Sequence, residues 1–241
     1  MKQFFGYAYT VDWLESILVP INRDGYKFIA LGLVLTLVFF YVWDPLGWLI
    51  LLLTIASAFF FRDPDRVTPI RDKLVVAPAD GIVAQISSAV PPEELEMGDD
   101  PRLRISIYIS LSDVHVQRVP ITGTVVRVVH RAGAFGPSHP QAAASEDNER
   151  QSIWLKTASG KETAVVQIAG RFARRIVCNL REGQKVLAGQ RLGLIRFGSR
   201  VDVYLAEAMR PLVVVGQRTV AGETILVDER SREAQRKGEI R

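Results

Sequence analysis

Three short segments contain residue types that can perform acid–base or nucleophilic chemistry. Asp80 lies in the run APADG at 77–81, His115 follows a strand-like run, and Ser199 follows Gly198 between two apolar runs. A serine hydroxyl needs a base to become a nucleophile, and histidine is the side chain that most readily exchanges a proton near neutral pH. Taken singly, each segment also has an ordinary interpretation as a turn, a strand end or a bulge. Their significance therefore depends on the elements that position them.

Two apolar stretches without charge lie upstream of these segments, at 28–43 and 46–61. Asp44-Pro45 separates them, and the run DPLG at 44–47 would be the turn of a hairpin. Each stretch has about 16 residues, slightly fewer than the roughly 20 that span a bilayer as a helix. They predict two tilted spans or a hydrophobic helical hairpin that enters one leaflet, with a pair of buried core helices as the alternative. Together with a short interfacial helix predicted over 1–25, they make residues 1–61 a membrane-associating region.

Basic residues flank both outer ends of this region. Arg23 and Lys27 precede the first stretch, and Arg62 and Arg66 follow the second. Because cytoplasmic segments carry the excess of Lys and Arg, both ends are predicted to lie on the cytoplasmic face of the cell membrane. From residue 62 onward the chain has 27 basic and 22 acidic residues, a balance suited to an anionic lipid surface. The sequence contains no basic run interleaved with aromatic residues, so its charge does not favour nucleic acid as the partner.

The following part, residues 62–228, is predicted to be rich in β-strands. Turns containing Gly, Pro or Asp separate nine strand-like runs. The runs are Leu74–Ala77, Gly81–Ile86, Arg104–Ser110, Gly123–Val129, Ser152–Thr157, Glu162–Ile168, Arg191–Phe197, Val201–Leu205 and Thr224–Val227. A long irregular piece at 131–151 interrupts them, and a loop of that length is usually functional or disordered. Residues 229–241 form a densely charged tail.

Two segments, 74–86 and 183–195, are similar to each other and resemble the paired hairpins of barrel-sandwich folds such as the biotinyl and lipoyl carriers. Neither has a lysine at its tip, so the analogy extends to the fold and not to the carrier function. The predicted fold class is therefore mainly β: a barrel-sandwich-like catalytic domain preceded by an N-terminal hydrophobic helical hairpin.

Five segments together resemble the short bacterial phosphatidylserine decarboxylases in their order and spacing. They are RDP at 62–64, APADG at 77–81, SLSDVHVQRVP at 110–120, NER at 148–150 and GQRLGLIRFGSRVDVYL at 189–205. The hydrophobic pair near the N-terminus and the loop before NER are also similar to that family. The resemblance therefore covers almost the whole chain.

The resemblance implies that the chain is a proenzyme that cuts itself between Gly198 and Ser199. Ser199 is then the nucleophile, His115 the base that takes its proton, and Asp80 the carboxylate that orients the histidine. The two products remain together as a heterodimer, whose association into a higher oligomer is left open.

The resemblance also implies a covalent cofactor that is made in place. Ser199 becomes a pyruvoyl group, separating chain 1–198 from chain 199–241, and forms a Schiff base with the amino group of phosphatidylserine. The group then serves as the electron sink for loss of CO2, which gives phosphatidylethanolamine. Neither a metal nor pyridoxal phosphate is expected, in keeping with a chain that has one cysteine, Cys178, and three histidines.

One position departs from the family pattern. Longer members have two histidines in the segment that matches 110–120, whereas this chain has His115 alone, with Arg118 further along. His115 is therefore predicted to be the base for cleavage, and the proton donor for decarboxylation stays open. His130 and His139 are predicted to be solvated or to face lipid.

Two alternatives remain at this point. A membrane-anchored barrel-sandwich adaptor without enzymatic activity explains the hydrophobic hairpin and the β-rich part, but not the three segments described first. Within the family, an ether-linked phosphoserine lipid is an alternative substrate, because the residues named above concern the head group and not the tails. One band or two chains on a denaturing gel would distinguish the adaptor from the self-cleaving enzyme.

Overall fold

The computed structural model describes residues 19–136, 147–170, 175–196, 199–206, 208–234 and 236–239. The chain divides into two compact units, Met1–Asp65 and Arg66–Arg241, which we call the helical unit and the β domain. The division falls four residues after the end of the region predicted to associate with the membrane.

Two antiparallel helices form the helical unit: α1, Tyr26–Val42, and α2, Asp44–Phe60. Their close approach depends on glycine, because a Cβ on Gly32 would lie only 2.3 Å from Oγ1 of Thr54. A larger residue at this position would push the helices apart. The predicted helical hairpin is therefore present and tightly packed.

The turn between the helices differs from the predicted turn at 44–47. A single extended residue, Trp43, connects α1 to α2, and Pro45 lies in the first turn of α2. Proline is favourable there because backbone N–H groups in the first turn of a helix have no acceptor inside the helix, so the missing N–H of proline costs nothing. The proline therefore begins the second helix instead of separating the two.

The surface of the helical unit is apolar. Leu37, Tyr41 and Trp48 are each more than half exposed. This exposure contradicts the alternative of two buried core helices, whose large side chains would be enclosed. Among the described residues, the helical run Arg23–Val42 is long and apolar enough to cross a membrane, and α2 is slightly shorter. The interfacial helix predicted within 1–25 lies largely outside the described residues.

Thirteen strands are described in the β domain. They are β1 Leu74–Val76, β2 Gly81–Ala89, β3 Arg102–Ile109, β4 Val116–Arg118, β5 Gly123–Arg131, β6 Arg150–Lys156, β7 Glu162–Ile168, β8 Arg175–Cys178, β9 Lys185–Val186, β10 Arg191–Arg196, β11 Ser199–Leu205, β12 Arg218–Thr219 and β13 Ile225–Asp228. All nine predicted runs correspond to strands. The four strands that were not predicted, β4, β8, β9 and β12, have two to four residues each, too few to show an alternating pattern.

Eight of these strands form one curled antiparallel sheet in the order β12-β2-β3-β11-β7-β6-β5-β9. A three-stranded sheet, β4-β10-β8, and the pair β1-β13 complete the domain. Buried side chains from all three sheets share one hydrophobic core. The fold class is mainly β with an N-terminal apolar hairpin, as predicted.

The eight-stranded sheet has an inner and an outer face, which β11 illustrates. Val201 and Val203 belong to the main core on the inner face. Tyr204 belongs to a smaller cluster around Leu95 on the outer face, and Asp202 lies on that face as well. This alternation follows from the two-residue period of a strand.

The two similar segments do not form hairpins of their own. Within 74–86, β1 pairs with β13, whereas β2 pairs with β3 and β12. Within 183–195, β9 pairs with β5, whereas β10 pairs with β4 and β8. The turns inside these segments are longer than the two-residue loops typical of tight hairpins. Each segment therefore carries the chain from one sheet to another.

Candidate active site

Three neighbouring strands bring two of the predicted site residues to one end of the eight-stranded sheet. β2 begins at Gly81, directly after Asp80. β11 begins at Ser199, which pairs with Ile109, the last residue of β3. Because β3 lies between β2 and β11, Asp80 and Ser199 flank the same end of β3.

Glycine at position 81 makes this arrangement possible. Gly81 has a φ of 154°, and a Cβ there would lie 2.2 Å from the backbone oxygen of Tyr108 in β3. Any side chain would force β2 away from β3 and would displace Asp80. Glycine at position 81 is therefore required by the packing of the backbone.

His115 lies in the connection between β3 and β4 and is buried, with 1% of its surface exposed. Its backbone oxygen accepts hydrogen bonds from the N–H of Ile195 in β10 at 3.4 Å and from Nε2 of Gln117 at 2.8 Å. The histidine is therefore enclosed in the domain, unlike the exposed His130.

The segment after His115 runs antiparallel to the segment that contains Asp80. The N–H of Arg118 donates to the oxygen of Pro78 at 2.8 Å, and a second such bond joins the two segments two residues further on. Arg218, which pairs with Ile82 close to Asp80, forms an ion pair with Asp113, two residues before His115. The Asp80, His115 and Ser199 segments therefore meet at one end of the β domain.

The carboxylate of Asp80 accepts two hydrogen bonds. Nη2 of Arg66 donates at 2.7 Å and the N–H of Ala221 donates at 2.7 Å. Burial raises the pKa of Asp80, and these two donors offset that effect only in part, while the charge of Asp113 adds to it. A carboxyl group whose pKa is raised inside a site is typical of acid–base chemistry.

Two arginines fix the loops around His115. Arg218 forms an ion pair with Asp113, whose carboxylate also accepts the N–H of Ser110 at 2.9 Å. Arg118 is buried and donates to the backbone oxygen of Gly189 at 2.9 Å. Arg118 thus ties β4 to the turn between β9 and β10.

Ser199 is described by its backbone alone, and Gly198 lies outside the described residues. The link between them joins β10 of the three-stranded sheet to β11 of the eight-stranded sheet. β11 is paired on both sides, with β3 and β7. The assignment of Ser199, His115 and Asp80 as a triad stays a prediction, because the side-chain position of the nucleophile is not described.

Two glutamines close to this site were missed by the sequence analysis. Nε2 of Gln167 donates to Oε1 of Gln117 at 2.9 Å, and both side chains are fully buried. The sequence did contain a signal for Gln167, an amide inside the apolar run AVVQIA. It contained none for Gln117, which lies between His115 and Arg118 in a strand too short to be predicted. Buried amides at such positions need hydrogen-bond partners.

The long loop predicted at 131–151 is fixed at both ends by one side chain. Nδ2 of Asn148 donates to the oxygen of Gly136 at 3.1 Å and to that of Ala169 at 2.9 Å, and its Oδ1 accepts the N–H of Gly136 at 2.9 Å. His139 and the rest of 137–146 lie outside the described residues. The NER segment therefore anchors the loop.

A second polar cluster, the Glu94 clamp, lies on the outer face of the sheet. Glu94 accepts hydrogen bonds from Nε and Nη2 of Arg150 at 2.6 and 2.8 Å and from Oγ of Ser152 at 2.7 Å. Burial alone would raise the pKa of Glu94, but the bonds from Arg150 and Ser152 outweigh it and lower the pKa to about 2. The clamp holds the connection between β2 and β3 against β6.

Comparison with known proteins assigns the chain to a family. The family model of phosphatidylserine decarboxylase matches residues 53–227. A protein of Paramagnetospirillum magneticum named phosphatidylserine decarboxylase proenzyme is 54% identical, with 97% of each chain covered. A protein of Cereibacter sphaeroides with the same name is 49% identical over 96% of this chain and 99% of its own length.

These relatives are carboxy-lyases that align with this chain almost from end to end, which excludes the non-enzymatic adaptor. The segments at 77–81, 110–120 and 189–205, which meet at one end of the β domain, all lie inside the matched region. The chain belongs to the phosphatidylserine decarboxylase family.

Proposed function

We propose that the chain is made as a proenzyme, cuts itself between Gly198 and Ser199, and then decarboxylates phosphatidylserine to phosphatidylethanolamine and CO2. The observation that supports this most is the meeting of the Asp80, His115 and Ser199 segments at one end of β2, β3 and β11. Family membership and the relatives' description as proenzymes agree with it.

The first step exchanges an amide for an ester. His115 takes the proton of the Ser199 hydroxyl, and the oxygen attacks the carbonyl carbon of Gly198. The C–N bond of the peptide breaks, and its nitrogen, with the proton returned, becomes the α-amine of Ser199. Asp80 stabilises the protonated histidine during this transfer.

The second step breaks the ester by elimination. A base removes the α-proton of Ser199, the bond between its Cβ and the ester oxygen breaks, and Gly198 leaves as a carboxylate. The remaining unsaturated residue takes up water and loses ammonia, which converts it to a pyruvoyl group. No oxidant or reductant is needed, because the electron pair of the C–H bond forms the new double bond.

The fold is compatible with a pyruvoyl group at position 199. Strand β11 begins at this residue and is held by β3 on one side and β7 on the other, so the downstream chain stays in the sheet after the cut. When present, the pyruvoyl group supplies an electron sink for the charge left by loss of CO2. Asp80 and His115 then remain next to it as the groups that hold or move protons.

The helical unit provides access to the substrate. Phosphatidylserine keeps its tails in the bilayer, and the exposed apolar surface of α1 and α2 is suited to hold the enzyme at the cytoplasmic face of the cell membrane. The basic excess of the β domain adds attraction to anionic lipid, on the order of 1 kcal/mol per Lys or Arg near the surface. Phosphatidylserine in an anionic membrane is therefore the proposed partner.

The substitution Ser199→Ala tests the cleavage directly. The variant is expected to stay a single chain of 26.9 kDa, whereas the unaltered protein gives two chains on a denaturing gel, with a pyruvoyl mass on the smaller one. Ser159→Ala, in the exposed turn between β6 and β7, is the matched control and should split normally. A Ser199→Ala protein that still splits at this bond would overturn the proposal.

Removal of residues 1–61 tests the role of the membrane. The truncated protein is expected to mature, because the groups that cut the chain all belong to the β domain. It should act poorly on phosphatidylserine in vesicles but retain more activity on a short-chain soluble analogue. Equal activity of the truncated and full-length proteins on vesicles, at matched pyruvoyl content, would contradict delivery by the helical unit.

A further inference from the structure

A chain of buried hydrogen bonds connects the two sheets next to the candidate active site. Nε2 of Gln167 in β7 donates to Oε1 of Gln117 in β4 at 2.9 Å. Nε2 of Gln117 in turn donates to the backbone oxygen of His115 at 2.8 Å. Both glutamine side chains are fully shielded from solvent. We call this pair the amide bridge.

The bridge reaches the strand that begins at the cleavage site. In the eight-stranded sheet, Gln167 pairs with Val201, two residues after Ser199. His115 belongs to the connection that enters the three-stranded sheet, where its oxygen also accepts the N–H of Ile195. The predicted base comes directly before β4 of the three-stranded sheet, whereas the predicted nucleophile begins β11 of the eight-stranded sheet. The amide bridge is a polar link between these two sheets.

Stability alone gives no reason for the bridge. A buried amide loses its hydration, and a hydrogen bond inside the protein only about compensates for that loss. Oε1 of Gln167 is buried and, among the described residues, has no hydrogen-bond partner. An apolar pair of the same shape would fill this part of the core without an unsatisfied acceptor.

We propose that the amide bridge is a positioning device for self-cleavage: Gln117 and Gln167 fix the backbone of His115 relative to β11, so that the base meets the hydroxyl of Ser199. The inference rests on the proposed function, in which His115 is the base. Gln117 acts on His115 by donating to the backbone oxygen of the histidine, and Gln167 acts through Gln117. Neither glutamine touches the reacting atoms.

Three variants test this proposal: Gln117→Met, Gln167→Met and the double variant. Methionine has nearly the volume of glutamine and no amide, so the core stays filled. Each single variant leaves one amide without its partner, whereas the double variant leaves none. Gln85→Met is the matched control. It removes the amide oxygen that accepts a hydrogen bond from Nη2 of Arg104 on the outer face of the sheet.

Maturation and stability are expected to separate in the double variant. Each single variant should self-cleave about 10- to 100-fold more slowly, because a misplacement of about 1 Å costs up to roughly 100-fold in rate. The double variant should regain the thermal stability that the single variants lose, yet remain as slow as Gln117→Met. A purely structural role predicts that rate and stability recover together, and that result would overturn the proposal.

A spectroscopic measurement gives an independent readout. The chain has three histidines, so selective histidine labelling of the Ser199→Ala protein gives few ring signals in magnetic resonance. Gln117→Met and the double variant should shift the signal of His115, while Gln85→Met leaves it in place. An unmoved His115 signal in both variants would also overturn the proposal.

The outcomes distinguish this proposal from the function on which it rests. If Ser199→Ala still splits, the proposed function fails. If Ser199→Ala and His115→Ala both block cleavage while all three glutamine variants mature at the unaltered rate, the function stands and only the positioning role of the amide bridge is wrong.

Discussion

Asp80 and Glu94 both accept a hydrogen bond from an arginine, yet their pKa values are displaced in opposite directions. The two side chains are enclosed to a similar degree, with exposed fractions of 15% and 11%. Asp80 nevertheless lies deeper among the surrounding protein atoms, so burial opposes its ionisation more strongly, and the donors add to the difference. Glu94 accepts two bonds from Arg150 and one from Ser152, which together outweigh burial and lower its pKa to about 2.

Asp80 has fewer donors and an acidic neighbour. It accepts one bond from Arg66 and one from the N–H of Ala221, while the charge of Asp113 opposes its ionisation. Burial is the largest influence on its pKa, which is raised. An arginine next to a carboxylate thus does not by itself fix the protonation state.

This contrast separates a structural carboxylate from one suited to chemistry. In the Glu94 clamp, the carboxylate accepts three hydrogen bonds and holds the connection between β2 and β3 against β6. Asp80 lies at the same end of the domain as the segments of His115 and Ser199, and burial raises its pKa. Substitutions at Asp80 should therefore change a rate, and substitutions at Glu94 should change stability.

The largest effects are expected for His115→Ala and Asp80→Asn, in that order. Asparagine still accepts the N–H of Ala221 but cannot stabilise a protonated His115, so self-cleavage should slow by at least about 100-fold, since this carboxylate contributes up to roughly 10,000-fold in serine hydrolase triads. His115→Ala should be slower still, because it removes the base itself. The measurement is the rate at which the full-length band gives two chains.

The control for this prediction is thermal stability. In the Ser199→Ala background, Asp80→Asn should unfold close to the temperature of its parent, because the charge it removes is one that burial disfavours. Maturation of both Asp80→Asn and His115→Ala at the unaltered rate would mean that another base is responsible.

A smaller effect, on stability, is expected for Glu94→Gln. The substitution removes a charge that Arg150 and Ser152 stabilise. The cost should be about 1–2 kcal/mol, less than the full pKa displacement implies because solvent screens the ion pair. For a domain of this size, that lowers the unfolding midpoint by about 2–8 °C. Glu96→Gln, at a more exposed carboxylate, is the matched control and should lower it less.

The pH dependence of this effect follows from the sign of the shift. The pKa of Glu94 is lower in the folded protein than the usual 4.5, so its contribution is complete above pH 4.5 and is lost as the pH falls toward about 2. The difference in midpoint between Glu94→Gln and its parent should shrink over that interval. A difference that grows on acidification would contradict the assignment of the clamp.

The fold and the candidate site differ in how far the sequence could predict them. The longer strands were predicted because a sheet with one face in the core imposes a two-residue period, which β11 shows clearly. The pairing of β1 with β13 was not predicted, because it joins segments about 150 residues apart and depends on the whole fold. Strands as short as β9 and β12 leave too little sequence for any pattern.

The sequence suggests the residues of the site but not their partners. Asp80, His115 and Ser199 are proposed through the family resemblance, since each alone fits an ordinary turn or strand end. Arg66 and Gln167 were missed because their roles depend on tertiary contacts: the partner of Gln167 lies 50 residues away in another sheet. A residue type indicates what chemistry is available, while its neighbours in space decide the pKa.

The smallest effect expected is a pH shift in Arg66→Met. Removing the cation beside Asp80 raises the pKa of that carboxyl further, so a smaller fraction is ionised at a given pH. The acidic limb of the maturation profile should therefore move to higher pH. Arg71→Met, an arginine of the same connection that pairs with Asp228 at the surface, should leave the limb unchanged. An acidic limb that stays in place or moves to lower pH in Arg66→Met would show that ionisation of Asp80 does not govern cleavage, and the contrast with Glu94 would then be one of structure alone.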